Sequence, residues 1–177
     1  MGRTPAHRLC RALANAGQID VNGDGYGDAC VDPSVEIRDN ADADPTIVID
    51  EGVELSKDLV IEQNVVLEED VTVEKDVTIA AGTTVEEGAT LAKDTEVGSD
   101  STIGANVEIR KNVFIGDDVS IGANTVIGQG SYICSDSTIG MDVAIAKNNV
   151  IGPGSVVEDG EKHKGVTNVV TVPPNPC

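Results

Sequence analysis

"VTVEKDVTIAAG", residues 71–82, places branched apolar residues at positions 71, 73, 77 and 79, so a strand-like alternation is interrupted every six residues. Alternation with a period of two is typical of a strand that buries one face. A regular interruption indicates a turn. Each six-residue block is therefore predicted to be one short strand followed by one bend.

The same block recurs without insertion along most of the chain. The first position of every block, from Ile49 to Val157, is Ile, Leu or Val. The fourth position, from Gly52 to Gly160, is always Gly, Asp or Asn, the residues that best tolerate a left-handed backbone. The fifth position is mostly Val, Thr, Ser or Ala, small enough for the inside of a corner.

Charged residues indicate how many blocks make one coil. At the third position of the blocks, lysines recur every 18 residues (Lys57, Lys75, Lys93, Lys111), and glutamates form a second series (Glu51, Glu69, Glu87). Three blocks therefore close one triangular coil, and the coils are expected to stack at the usual strand spacing of about 4.8 Å. Stacked coils bury what single short strands cannot.

Blocks such as "IGANVE", "IGDDVS" and "IGANTV" resemble the hexapeptide-repeat family over residues 47–160. The resemblance implies an all-β fold, a left-handed parallel β-helix of about six coils. The predicted organisation is a helix and ion-loop module at 1–32, a linker or cap at 33–46, the β-helix at 47–160, and a tail packed on the solenoid at 161–177.

Composition excludes several classes of partner. A formal net charge of −19 opposes binding to nucleic acid or an anionic membrane. No apolar run approaches the roughly 20 residues of a membrane span. The N-terminal stretch lacks the apolar segment of a signal peptide. The predicted partner is a second copy of the chain, in a homo-oligomer or filament.

The resemblance also implies two kinds of enzyme, usually trimeric. Acyltransferases of the family use a histidine as general base, and its zinc enzymes bind the metal through three histidines between subunits. Residues 47–160 contain no histidine, because His7 and His163 lie on either side. The prediction is therefore that the protein is not an enzyme and has no catalytic residues.

The stretch "DVNGDGYGDACVD", residues 20–32, carries alternating oxygen ligands around Gly25. It resembles a thrombospondin type 3 repeat and overlaps the EF-hand loop, although Val31 stands at the twelfth place. Hard cations that accept six to eight oxygens are bound in this way, so calcium is the predicted cofactor. The candidate ligands are Asp20, Asn22, Asp24, Tyr26, Asp28 and Asp32.

Upstream of this loop, a short helix is predicted from Thr4 as N-cap to Gly17 as its end. Cys10 on that helix is positioned to pair with Cys30, although two reduced thiols are the alternative. Calcium chemistry and paired cysteines together favour an extracellular or cell-surface location.

An apolar strip is predicted on one face, because Phe114, Tyr132 and Val150 point outward one coil apart. Cys134 is expected to point outward on the same face. One hypothesis is that the C-terminal tail turns back over the strip and is fixed by a Cys134–Cys177 disulfide. The alternative is that the strip is a trimer interface.

The favoured function is a non-enzymatic, calcium-stabilised structural solenoid that self-assembles. Three N-terminal arginines, predicted to dock on an acidic body, would assist assembly (Arg3, Arg8 and Arg11). The alternatives are a hexapeptide-repeat acyltransferase with its site between subunits, and a module that binds carbohydrate or mineral.

Overall fold

The computed structural model of the protein describes residues 47–162 and Cys177, together with the backbone at 18–19, 29–30, 36–37 and 163. All regular structure in these segments is β-strand. Nowhere within them is there a helix long and apolar enough to cross a membrane. The predicted helix between Thr4 and Gly17 lies outside the described residues.

Within the described residues, twenty-three strands of two residues each follow one another. The first three are β1 (Gln18–Ile19), β2 (Ala29–Cys30) and β3 (Glu36–Ile37). The next ten are β4 (Val48–Ile49), β5 (Glu54–Leu55), β6 (Val60–Ile61), β7 (Val66–Leu67), β8 (Thr72–Val73), β9 (Thr78–Ile79), β10 (Thr84–Val85), β11 (Thr90–Leu91), β12 (Glu96–Val97) and β13 (Thr102–Ile103). The last ten are β14 (Glu108–Ile109), β15 (Phe114–Ile115), β16 (Ser120–Ile121), β17 (Val126–Ile127), β18 (Tyr132–Ile133), β19 (Thr138–Ile139), β20 (Ala144–Ile145), β21 (Val150–Ile151), β22 (Val156–Val157) and β23 (Lys162–His163).

Strands β3 to β23 form three parallel sheets of seven strands each, which are the three faces of a prism, and β1 and β2 form a separate antiparallel pair. The first sheet runs from β4 to β22, the second from β5 to β23, and the third from β3 to β21. Within the repeat, each strand pairs with the strand 18 residues later, as Thr84 does with Thr102. The structure thus confirms a parallel β-solenoid of about six coils, the left-handed β-helix of hexapeptide repeats.

The solenoid extends further at both ends than the sequence pattern indicates. Strand β3 pairs in parallel with β6, with Ile37 opposite Ile61, so the stretch predicted as linker contributes a strand. At the other end β23 pairs with β20, and the backbone of His163 lies opposite Ile145. His163 therefore belongs to the solenoid, although it lies beyond the last regular block.

The inward row of aliphatic residues is the core. From Ile61 to Ile139, every first-position side chain is at most 2% exposed. Leu55 is only partly buried, because it lies in the first full coil. Burial of one such side chain is worth about 1.5–3 kcal/mol relative to exposure, so stacking rather than any single strand stabilises the prism.

Each corner bends through a left-handed residue, as predicted. Every fourth-position residue from Gly52 to Gly160 has φ between +54° and +82°. Most of these residues are Asp or Asn, whose short polar side chains tolerate this conformation. The corners are also hydrogen-bonded between coils, since the backbone N–H of Asn106 donates to the Glu87 carbonyl at 2.9 Å.

Buried hydroxyl groups connect the corners of successive coils. The Thr125 hydroxyl donates to the carbonyl of Gly140 at 2.9 Å and accepts the N–H of Val143 at 3.1 Å. Ser101 and Ser131 make the same pair of bonds in other coils. The fifth position is therefore not merely small, because a hydroxyl there bonds to the next coil.

Thr125→Val should lower the free energy of unfolding by about 1–3 kcal/mol, since it leaves a buried carbonyl and a buried N–H without their partner. Urea denaturation followed by circular dichroism measures this change. Thr102→Val is the control, because Thr102 is exposed on the first sheet and its loss should have little effect. Equal midpoints for both variants would contradict a stabilising role for the buried hydroxyl.

Candidate functional site

A cationic groove lies along the second sheet and its following corner. It is an open depression of about 690 Å³ across strands β8, β11 and β14, a volume in the range of small-molecule sites. The polar and charged lining residues that could contact a ligand are Lys93, Asn106, Glu108, Arg110, Lys111 and Gln129. Gly88 lines it too, and a Cβ there would approach the Asn106 Oδ1 at 2.8 Å, so glycine leaves space for that amide.

Three cations and two carboxylates line this groove on a chain whose formal charge is −19. Lys93 is also paired with Asp94 at 3.1 Å, so Lys111 is the lining cation without a salt bridge among the described residues. Arg110 Nε lies 2.9 Å from Glu108 Oε1, and both side chains are about half exposed. Exposed pairs of this kind contribute about 0–1 kcal/mol. The pair therefore orients the guanidinium more than it neutralises the groove.

Third-position lysines form a ladder along one corner, and at the groove the neighbouring aspartate that neutralises the earlier lysines is missing. The members of this lysine ladder are Lys57, Lys75, Lys93, Lys111 and Lys147. In the first three coils, each lysine lies beside the aspartate that follows it, at 3.8, 3.5 and 3.1 Å. Asn112 follows Lys111 instead, at the same left-handed corner position. Lys111 makes no salt bridge within the part of the chain that the structure describes.

The acidic corner, Asp50, Glu51, Glu68, Glu69, Glu86 and Glu87, uses some of its carboxylates for backbone contacts. Glu86 Oε2 accepts the N–H of Ala105 at 3.0 Å, and Glu68 Oε2 accepts that of Glu87 at 3.3 Å. These bonds connect each coil to the next. No group of three or more His, Cys, Asp or Glu in the described residues is placed to hold a metal ion.

The apolar strip, Phe114, Tyr132 and Val150, lies on the third sheet in strands β15, β18 and β21. Adjacent pairing brings the Phe114 and Tyr132 rings to a centroid distance of 6.1 Å, tilted by 34°. Both rings are half-buried, and Val150 is 38% exposed. The strip therefore remains partly open to contact.

Cys134 does not present an exposed thiol, in contrast to its predicted outward position. It is fully buried, because its Sγ is bonded to Cys177, with a Cα–Cα distance of 5.3 Å. The structure thus contains the Cys134–Cys177 disulfide, and Cys177 itself is exposed. The bond fixes Cys177 beside the carboxyl end of strand β18 in the third sheet.

Most of the other predicted site residues lie outside the described residues. These are the six calcium ligands Asp20, Asn22, Asp24, Tyr26, Asp28 and Asp32, the three arginines Arg3, Arg8 and Arg11, and Cys10. Cys30 is described only in its backbone, in strand β2 opposite Gln18. The Cys10–Cys30 pairing remains a prediction.

Sequence reasoning missed the groove because it used the third-position lysines only to count the blocks in one coil. Two signals were present: Arg110 is the single arginine between residues 47 and 163, and Asn112 replaces the aspartate that follows earlier lysines. Only the 18-residue register brings Lys93, Arg110 and Lys111 onto one surface.

Comparison with known families gives one match. A family model described as the GMPPB C-terminal domain matches residues 26–129, more than half of the chain. A search of curated proteins finds no match.

Solved structures with similar coils include several transferases. A GDP-perosamine N-acetyl transferase variant from Caulobacter crescentus, in complex with CoA and GDP-perosamine, is 17% identical over 70% of this chain and 51% of its own, with a TM-score of 0.40. A UDP-N-acetylglucosamine acyltransferase from Francisella novicida is 12% identical over 71% and 62%, with a TM-score of 0.40. A hexapeptide transferase family protein from Anaplasma phagocytophilum is 18% identical over 73% and 78%, with a TM-score of 0.35. The chain spans about half the length of the first of these.

These comparisons correct the predicted function. The prediction of a non-enzymatic structural protein is wrong, since the family model that the chain matches over more than half of its length is the GMPPB C-terminal domain. The argument against an enzyme relied on the absence of histidine from residues 47–160. That boundary was too short, because the solenoid continues to His163.

The calcium prediction is also wrong. No group of three or more His, Cys, Asp or Glu in the described residues is placed to hold a metal ion, and the predicted loop at residues 20–32 lies outside them apart from the backbone of 29–30. The physical reason is that alternating acidic residues beside glycine also fit an ordinary polar turn. The motif alone does not establish a bound ion.

Proposed function

This chain belongs to the GMPPB C-terminal domain family, and we propose that its solenoid is an acyltransferase domain that binds an acyl-coenzyme A in the cationic groove. The observation that carries the proposal is a groove lined by three cations, with Lys111 outside any salt bridge among the described residues, on a chain of formal charge −19. A ligand that carries phosphate groups is attracted by the cations of the groove, whereas the acidic surface elsewhere on the chain repels it.

The residues present fit such a ligand. Arg110 and Lys111 supply adjacent cationic donors, and charge-assisted bonds from these groups to phosphate are among the stronger hydrogen bonds. Lys111, with no salt bridge in the described segments, is available without breaking an existing pair. Gln129 and Asn106 add amide donors and acceptors to the groove lining.

When bound, acyl-coenzyme A supplies an activated thioester. Of the two histidines in the chain, His163 is the one whose backbone lies in a strand of the solenoid, and we propose it as the general base that takes a proton from the amine or hydroxyl of the acceptor. Its strand, β23, lies three strands beyond β14 in the same sheet, or about 14 Å at the usual spacing. Glu108 is the less suitable base, because it is paired with Arg110.

Self-association is part of the proposal. The resemblance to hexapeptide-repeat enzymes implies a trimer with the site between subunits, and the open side of the groove suits a second copy as its missing wall. Sedimentation equilibrium is the test: the expected mass is three times 18.3 kDa. A mass of one chain at the concentration used for activity would contradict this part.

An oxidising, extracellular or cell-surface location is proposed on the disulfide alone. Bonds such as Cys134–Cys177 persist in oxidising compartments and are rare in reducing ones. Alkylation of free thiols in intact cells, followed by mass spectrometry, tests this. Quantitative alkylation of Cys134 would contradict it.

The groove assignment is tested by removing its two cations. The double variant Arg110→Ala, Lys111→Ala should weaken coenzyme A binding about 10- to 100-fold, because one charge-assisted hydrogen bond contributes about 1.5–3 kcal/mol and solvent in an open groove screens much of the second. Isothermal titration calorimetry on the full chain measures the dissociation constant. Lys57→Ala is the matched control, since Lys57 belongs to the same ladder but lies outside the groove. Equal affinity for the double variant and the control would overturn the assignment.

A further inference from the structure

The apolar strip and the disulfide lie on the same face of the prism. Cys134 directly follows Tyr132 and Ile133 of strand β18, so the bond to Cys177 lies at the carboxyl end of that strand, beside the strip. Phe114 and Tyr132 are the two aromatic residues of the solenoid, in a chain that is only 2% aromatic. Two rings in contact on an outer face indicate a surface that is normally covered.

The course of the chain leads onto that face. In every coil the chain passes from the second sheet to the third, as it does from β14 to β15 and from β17 to β18. The chain that leaves β23, the last strand of the second sheet, is therefore directed toward the third sheet. At the far end of this segment, Cys177 is bonded to Cys134, which lies at the carboxyl end of strand β18 in the third sheet.

The length between these two points exceeds the direct path. Residues 164–176 reach on the order of 40 Å when extended, at about 3.3 Å per residue. The height from β23 down to β18 is under two coils, or roughly 10 Å at the usual strand spacing. The segment thus has ample length to cross the third sheet rather than to take the shortest route.

The composition of this segment suits the strip. It is "KGVTNVVTVPPNP", with valines at 166, 169, 170 and 172 and no acidic residue. We propose that residues 164–176 dock on the apolar strip, with Phe114, Tyr132 and Val150 as their contact surface and Cys134–Cys177 as the anchor. A second copy of the chain is then not needed to cover this face.

The test measures the exposure of Tyr132. In a Tyr26→Phe background, Tyr132 is the remaining tyrosine, and acrylamide quenching of its fluorescence reports access. Cys177→Ser should raise the quenching constant at least twofold, and so should Val169→Asp combined with Val170→Asp, which leaves both cysteines in place. Glu96→Gln, on the same sheet but two coils below Tyr132, is the control and should change nothing. Circular dichroism confirms that each variant keeps its strands.

Three outcomes would overturn the proposal. The first is unchanged quenching in both the cysteine and the valine variants, with the strands intact. The second is protection of Tyr132 that disappears on dilution of the oxidised wild type, which would show that a second copy covers the strip. The third is a nonreduced digest in which Cys134 is free, since the anchor would then be absent.

Discussion

Replacing His163 with asparagine is expected to lower kcat of acyl transfer by about 10²- to 10⁴-fold, the contribution of a positioned general base. Asparagine keeps the size and a hydrogen-bonding group of the imidazole but does not accept a proton at neutral pH. The KM for acyl-coenzyme A should change little, because the cations of the groove are untouched. Release of the free thiol of coenzyme A, followed with a chromogenic disulfide, measures the rate.

His7→Asn is the matched control, because the chain has two histidines and His7 lies far from the solenoid in sequence. Full activity of His163→Asn with any acceptor that the wild type uses would remove His163 from the reaction. The groove would then remain as a binding site to be tested by calorimetry.

The fold could be predicted because one rule governs every coil. The first-position aliphatics recur every six residues, and the structure buries that row from Ile61 to Ile139. The corners could be predicted for the same reason, since glycine, aspartate and asparagine are the residues that accept positive φ at little cost. The 18-residue register could also be predicted from the sequence, because charges of one sign recur at that spacing.

The ends of the solenoid could not be predicted from this rule. Ile37 pairs with Ile61 across 24 residues rather than 18, so the first coil contains additional chain that breaks the period. At the other end, His163 occupies a place where every earlier block has an aliphatic residue. A boundary drawn where the pattern stops therefore excluded the residue that we propose as the general base.

The groove was hidden for a different reason. Its charges come from separate coils, and the lysine ladder resembles a soluble edge until the partners of each lysine are compared. Asp94 lies 3.1 Å from Lys93, whereas Asn112 stands in the same position after Lys111. One uncharged amide in place of a carboxylate changes the local charge, and period and composition alone do not reveal its consequence.

Stability is expected to depend most on the central coils, so Ile121→Ala should lower the free energy of unfolding by about 2–5 kcal/mol. Ile121 is 1% exposed and lies between Ile103 below and Ile139 above in the same sheet. Truncation removes its buried methyl groups and leaves a cavity, because the parallel ladders on either side keep the coils at a fixed spacing. Urea denaturation followed by circular dichroism measures the change.

Ile151→Ala is the matched comparison, since Ile151 is 8% exposed and ends the described part of its sheet. Ile151→Ala should lower the free energy of unfolding by less than half as much as Ile121→Ala. Ile151 has a neighbouring coil on one side only, and side chains at the end of the prism can move to fill the cavity more easily. In a solenoid each coil contacts only its neighbours, so the cost of a cavity depends on how many neighbours it has. Equal losses at the two positions would mean that the end of the prism is as well covered as its centre, and the simple stacking account would be wrong.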